Sequence, residues 1–160
     1  MDFDKMKKIY TPSTRLKTWW STYGPNGPIS DSGQLAQLRR CRTWDEALIV
    51  PCVHSLIPTF TKSEEWQHKN IERYCVMAIL AANVKTDDSQ SLFGAIAKDS
   101  LSHVRFMRVY RATSSNDILR EYRNVITLSN NVSNLTELEE FVLYHNTKST
   151  KTKISTTFYT

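Results

Sequence analysis

The chain has 160 residues and a mass of 18.5 kDa, the size of one domain or of two small helical lobes that share a core. Hydrophobic residues make up 40% of it and there are only four glycines and five prolines, which excludes a disordered chain, a collagen-like repeat and a turn-rich all-β protein. The 21 basic and 16 acidic side chains leave a net charge of +5, which permits a nucleic-acid partner.

Targeting signals and a disulfide framework are not recognisable in the sequence. It contains no run of about 18 apolar residues, which argues against a transmembrane helix. Residues 1–5 lack the apolar core of a signal peptide. The three cysteines are odd in number and far apart, which indicates small buried residues rather than disulfide partners. We therefore expect a cytoplasmic protein with no membrane contact.

The first half of the chain places apolar residues at helical spacing. One helix is predicted over residues 14–23, and a second begins after a cap at Asp31 or Ser32 and reaches about Arg42. The longest helix is predicted over residues 64–83. Its buried stripe is expected to contain Ile71, Tyr74, Cys75, Ala78, Ile79 and Ala82.

The second half begins with a polar connection over residues 84–91, followed by a short helix over 92–98. The next helix, over about 102–112, is expected to bury Val104, Met107 and Tyr110. Ser115 is predicted to cap the helix after that, and Thr136 with Glu139 has the spacing of a capping box for the last one. In these two helices the predicted core residues are Ile118, Leu119, Tyr122, Val125, Ile126, Leu138, Phe141 and Val142.

These elements predict an all-α protein, a compact bundle of about eight or nine helices in two lobes. We place an N-terminal lobe at residues 1–83, a connection at 84–91 and a C-terminal lobe at 92–147. Residues 148–160 are rich in Thr, Ser and Lys, so we expect a loose polar tail there. Docking of this tail through Ile154, Phe158 and Tyr159 is the alternative.

The positive charge is concentrated in two stretches of the chain. Residues 15–42 hold five basic side chains and one acidic, a sum of +4, and residues 93–125 hold six and three, a sum of +3. Arg105, Arg108 and Arg111 recur every three residues, so they spread over about 120° of one helix side. Guanidinium groups bind phosphate oxygens in a forked geometry, which suggests a nucleic-acid surface. The competing interpretation is a solvated helix face with local ion pairs.

The next predicted helix repeats this spacing with Arg120 and Arg123. If the two helices are antiparallel neighbours, all five guanidinium groups can share one surface. Tyr110 and Tyr122 lie near these cations, where they either stack on bases or, as their place on the apolar stripe favours, belong to the core.

Known catalytic and metal-binding patterns are not found. The four histidines are isolated, and the sequence contains no P-loop, GxGxxG or GxSxG motif. Cys52 and His54 have the spacing of one half of a zinc site, but no second pair accompanies them. We expect no enzyme activity, no metal and no cofactor.

Several short blocks, in this order, are similar to the Cse2 (CasB) family, the small subunit of type I-E CRISPR Cascade. The resemblance covers about residues 14–147. Its blocks are Trp19-Trp20, Gln34-Leu-Ala-Gln-Leu38-Arg39-Arg40, Phe93-Gly94-Ala95-Ile96-Ala97, Arg105-x5-Arg111-Ala112, Leu119-Arg120-x2-Arg123 and Leu138-Glu139-Glu140-Phe141-Val142-Leu143.

The resemblance implies a non-catalytic, all-α subunit that helps to hold the target and displaced DNA strands of an R-loop. Its implied partners are the backbone and large Cascade subunits, a second copy of itself, guide RNA and target DNA. The implied nucleic-acid-binding residues are Arg39, Arg40, Arg105, Arg111, Arg120 and Arg123, whereas Arg108 is supported by its spacing alone. A structural interaction protein, whose basic surfaces contact only other proteins, is the alternative.

Overall fold

The computed structural model describes residues 14–58 and 64–160, with side chains of the second stretch described from residue 70. The described chain is mainly helical, which confirms the all-α prediction. The α-helices are α1 (Arg15–Tyr23), α2 (Ser32–Arg40), α3 (Glu64–Ala82), α4 (His103–Arg111), α5 (Ser115–Leu128), α6 (Leu135–Tyr144) and α7 (Lys148–Tyr159). Two 3-10 turns, η1 (Trp44–Ile49) and η2 (Pro51–Ser55), and a π-helical turn (Leu92–Ile96) complete the helical part.

Helix α3 is the centre of the molecule. It packs against η1 and against α2, α5 and α6. Every residue from Tyr74 to Ala82 is buried, so this half of the helix is covered on all sides, whereas the predicted stripe residue Ile71 is only partly buried. The predicted stripe residues from Tyr74 onward are confirmed, but the prediction missed Val76, Met77, Leu80 and Ala81.

The outer helices bury the faces that their spacing predicts. Leu16 and Trp19 of α1 and Leu35 and Leu38 of α2 all join the core. All eight residues predicted for the cores of α5 and α6 are buried as well. The spacing of apolar residues therefore oriented four of the outer helices correctly.

Side-chain caps define several helix starts. Asp31 accepts a hydrogen bond from the backbone N–H of Gln34, as predicted. Ser114 caps α5, one residue before the predicted Ser115. The predicted capping box on α6 is wrong, because Asn134 is the cap and accepts from the N–H of Glu137. Residues 1–13 and 59–63, which include the segment 1–5 and the residues just before α3, lie outside the described residues.

Glu139 has a different role from the predicted capping box. Its buried carboxylate accepts a 2.8 Å hydrogen bond from the N–H of Leu16, in the first turn of α1. The first N–H groups of a helix have no partner within it, and negative charge is favourable there. Glu139 therefore joins α6 to the start of α1.

The connection over residues 84–91 contains a short strand, β1 (Thr86–Asp87), that pairs in parallel with β2 (Val132–Ser133). Asn130 and Asn131 adopt positive φ angles just before β2, a conformation that asparagine tolerates better than most residues. Since α3 packs against both α5 and α6, it also touches helices assigned to the C-terminal lobe. The division into two lobes stays a prediction.

The face of α4 differs from the prediction. Val104 is 62% exposed, and Met107 and Tyr110 are only partly buried, whereas Phe106 and Val109 are in the core. Phe106, Met107, Val109 and Tyr110 share one side of this helix, opposite the three arginines. The prediction failed because it included Val104, which lies on the arginine side, and overlooked Phe106 and Val109. The orientation follows from its neighbours, α5 on one side and α7 on another.

The prediction of a loose tail over residues 148–160 is wrong. The alternative, in which the tail docks on the core, agrees better with the structure. Helix α7 buries Ile154 and Phe158, while Tyr159 remains 55% exposed. The helix packs against the π-helical turn and α4. A Cβ at Gly94 would lie 2.6 Å from Cγ2 of Thr157, so only glycine permits this approach.

Candidate nucleic-acid interface

The arginines of α4 form an exposed part of the predicted interface. Ser102 caps the helix by accepting from the N–H of Arg105. Arg105, Arg108 and Arg111 are all exposed, and α4 contains no acidic residue. Because Phe106 and Val109 face the core, the three guanidinium groups project from a firmly packed helix.

A narrow crevice runs between α4 and α5. Arg105 and Arg108 line it from α4, and Glu121 and Asn124 line it from α5. The remaining lining residues are Leu101, Val109, Val125 and Leu128. The structure therefore brings Arg105 and Arg108 together beside one carboxylate that is 8% exposed.

Arg120 lies at the edge of this region but has acidic neighbours. Its Nη2 is 3.2 Å from Oδ1 of Asp117, and its Nε is 3.2 Å from Oε1 of Glu121. The side chain is 65% exposed, so these ion pairs are solvated and individually weak. A phosphate would have to compete with two carboxylates for this guanidinium.

Arg123 does not share a surface with the arginines of α4. It follows Glu121 by two residues, which places it on nearly the opposite side of α5. Its half-buried guanidinium donates from Nη2 to the backbone oxygen of Cys41, at 2.6 Å, just after α2 ends. Burial lowers the pKa of this guanidinium below its usual value. The predicted five-arginine surface is therefore divided.

Arg39 and Arg40 lie at the end of α2. Arg39 donates from Nε to the backbone oxygen of Ala82, the last residue of α3, at 2.8 Å. Lys and Arg side chains commonly satisfy free carbonyl groups at helix ends. Arg40 is exposed, and its side chain makes no hydrogen bond or ion pair with the rest of the described chain.

The lysines of α7 were not among the predicted site residues. The ammonium group of Lys151 lies 5.1 Å from the ring centroid of Tyr110, beside Arg111. Lys148 is exposed at the start of the same helix. The spacing of Ile154 and Phe158 is the sequence signal that would have placed these lysines on a docked helix.

The two tyrosines near the cations differ in their surroundings. Tyr122 is fully buried, and its hydroxyl lies 3.0 Å from Nδ1 of His145. Burial raises the pKa of this phenol well above its usual value. Tyr122 is thus a core residue, as its position on the apolar stripe favoured. Tyr110 is partly buried and lies below Lys151.

The side chains of residues 14–58 and 70–160 form neither a metal-ligating cluster nor a disulfide. No cluster of three or more His, Cys, Asp or Glu side chains there has the geometry to hold a metal ion. The three cysteines are buried and unpaired, and burial raises the pKa of the Cys75 thiol to about 12. In the same part of the chain, no helix combines the length and apolar character required to span a bilayer.

Comparison with known proteins gives a family and a fold. The model of the CRISPR-associated protein Cse2 family matches residues 34–159, so the matched region includes α7. The fold is similar to a chain in the crystal structure of E. coli Cascade bound to a PAM-containing dsDNA target, with a TM-score of 0.63. That similarity covers 91% of this chain and 94% of the other, at 15% sequence identity. No curated protein matches the sequence.

Proposed function

Because the chain belongs to the CRISPR-associated Cse2 family, we propose that it is a non-catalytic small subunit of a type I-E Cascade complex. In this role it binds the nucleic-acid backbone and stabilises the target and displaced strands of the R-loop. Its partners are the backbone and large subunits, a second copy of itself, guide RNA and target DNA, and it acts in the cytoplasm.

The observation that carries the proposal is the exposed arginine face of α4. Arg105, Arg108 and Arg111 project from one helix without an acidic residue on that helix. Exchange of a DNA duplex for an RNA–DNA heteroduplex is nearly balanced in free energy, so a few backbone contacts shift the equilibrium. Three guanidinium groups on a rigid helix provide such contacts without selecting a sequence.

The remaining predicted arginines differ in how available their guanidinium groups are to phosphate. Arg40 is exposed and available to phosphate, whereas Arg120 first has to leave its acidic partners. Arg39 and Arg123 each use one nitrogen to hold a backbone oxygen inside the protein. We therefore assign the main backbone contacts to the arginines of α4.

The salt dependence of binding tests this proposal. We expect the full chain to bind single-stranded DNA with an affinity that falls steeply as salt rises. Replacement of Arg105, Arg108 and Arg111 by Gln removes three phosphate contacts and is expected to flatten the slope of log K against log salt by about 2 units, at ~0.7 per contact. Fluorescence anisotropy over a salt series measures both slopes.

A charge-matched control is the triple replacement of Arg42, Lys98 and Lys153 by Gln. It also removes three positive charges, but none of them lies on the arginine face of α4. Lys98 and Lys153 contact Thr160 and Glu140 instead. We expect its slope to match that of the wild type. Equal slopes for all three proteins would contradict the assignment to α4.

A further inference from the structure

We propose that the docked C-terminal helix extends the arginine face of α4 into one surface that binds the phosphate backbone of a single-stranded nucleic acid. We call this surface the α4–α7 edge and define it as Arg108, Arg111, Lys148 and Lys151. The inference rests on the proposed function, because it identifies where part of that ligand binds. It adds two residues that no motif in the sequence marked.

The two helices of the α4–α7 edge are joined by aromatic packing. The ring of Phe158 stacks on that of Phe106 with centroids 4.1 Å apart and planes 3° from parallel. Ile154 is 1% exposed in the same contact region. Because both buried residues belong to the core, α7 has a defined position relative to the arginines of α4.

Two contacts bring the lysines of α7 to the C-terminal end of α4. Asn146 donates from Nδ2 to the backbone oxygen of Thr113 at 3.0 Å, two residues after Arg111. The ammonium group of Lys151 lies 5.1 Å from the ring centroid of Tyr110, the residue before Arg111. Arg111 is thus flanked by Thr113, which contacts Asn146 just before α7, and by Tyr110, which contacts Lys151 in the first turn of α7.

The positive charges of the α4–α7 edge outnumber the acids near them. Glu121 lines the crevice beside Arg108, but it pairs with Arg120. Neither helix contains an acidic residue. Lys153 pairs with Glu140 at 3.0 Å and is therefore left out of the edge. The four cations of the edge form no ion pair with any described carboxylate. Val104, 62% exposed one turn before Arg108, shows that the rest of the described chain does not cover this side of α4.

The chemistry of the α4–α7 edge favours a polyanion. Four positive side chains on two helices packed together suit a ligand that carries one negative charge per nucleotide. Lys151 above Tyr110 also keeps its charge in a fixed place through a cation–π contact. An acidic protein surface is the competing ligand, and the experiment below separates the two.

The test uses the full-length double variant Lys148→Gln and Lys151→Gln, with Lys98→Gln and Lys153→Gln as the control that loses the same charge. The probes are a single-stranded DNA and an RNA of equal sequence, and the readout is the salt slope of binding. Loss of two phosphate contacts flattens the slope by ~1.4 units. Circular dichroism melting verifies that each variant is folded.

The outcomes separate the two proposals. A flatter slope for Lys148→Gln with Lys151→Gln, and an unchanged slope for the control, supports the α4–α7 edge, and the DNA and RNA arms identify the strand it prefers. If both lysine variants bind like the wild type while replacement of the α4 arginines weakens binding, the edge is refuted and the proposed function stands. If the wild type binds neither probe, both proposals are overturned.

Discussion

The buried pair of His145 and Tyr122 gives the fold a dependence on pH. His145 is 0% exposed, and its Nδ1 is paired with the Tyr122 hydroxyl, while its Nε2 has no hydrogen-bond partner in the described chain. Burial, with the nearby cations Arg73 and Lys151, lowers the pKa of His145 to about 4, against an ordinary value near 6.5. The folded protein therefore resists protonation of this ring.

The sign of the pH effect follows from that difference. Between pH 6.5 and 4 the unfolded chain takes up a proton at His145 that the folded chain does not, so stability is full above this range and is lost as the pH falls through it. We expect this group to reduce the free energy of unfolding by roughly 2 kcal/mol between pH 7.5 and 5. Urea titrations at the two pH values measure it.

Substitution isolates the contribution of His145. His145→Gln has no proton to take up, so its stability is expected to fall less than that of the wild type over the same range. His54→Gln, at an exposed histidine, is the control and is expected to behave like the wild type. Equal losses in the wild type and in His145→Gln would contradict the assignment.

Among the elements, α7 differs most from its prediction, since the sequence indicated a loose tail and the structure shows a docked helix. We expect Phe158→Ala to lower the free energy of unfolding by ~3 kcal/mol, because it removes a ring stacked on Phe106 in the core. Thr156→Ala, at an exposed position of the same helix, is expected to change it by no more than ~0.5 kcal/mol.

Two measurements check the docking of α7. Urea unfolding gives the free energies, and limited proteolysis shows whether the chain is cut after residue 147. If α7 is docked, we expect it to resist protease in the wild type and in Thr156→Ala. In Phe158→Ala we expect it to be cut. Rapid cleavage of the wild type at this point, with no effect of Phe158→Ala on stability, would mean that the tail is loose after all.

For the whole molecule, the distribution of charge separates binding to nucleic acid from a purely structural role. The α4 arginines form one exposed cationic face, whereas η1 exposes Ile49, 75% exposed, together with the acidic residues Asp45 and Glu46. The first surface fits the proposed function. Under the structural alternative, both surfaces would contact only protein.

Purification from cells that express the other Cascade subunits distinguishes these roles. We expect the tagged chain to co-purify with guide RNA and the larger subunits. Replacement of Arg105, Arg108 and Arg111 by Gln is expected to leave assembly intact and to weaken DNA binding by the assembled complex. Loss of assembly, with unchanged DNA affinity of the complexes that still form, would instead show that these arginines contact protein.

The helices differ in how well the sequence predicted their buried residues. The core residues of α5 and α6 were predicted correctly, because each helix has one clear apolar stripe. The buried residues of α4 were not, because the prediction included Val104, on the arginine side of the helix, and overlooked Phe106 and Val109 on its apolar side. For α7, Ile154 and Phe158 indicated docking, but the polar composition outweighed them.

The sequence by itself determined the all-α class, most helix positions, the two basic stretches and the family, because these depend on local spacing and on residue order. The tertiary structure decided which arginines remain exposed. Arg105, Arg108 and Arg111 project outward, Arg120 meets two carboxylates, and Arg123 turns inward to a backbone oxygen. A guanidinium binds phosphate most readily where no carbonyl or carboxylate of the protein already engages it, and tertiary packing decides which arginines meet that condition.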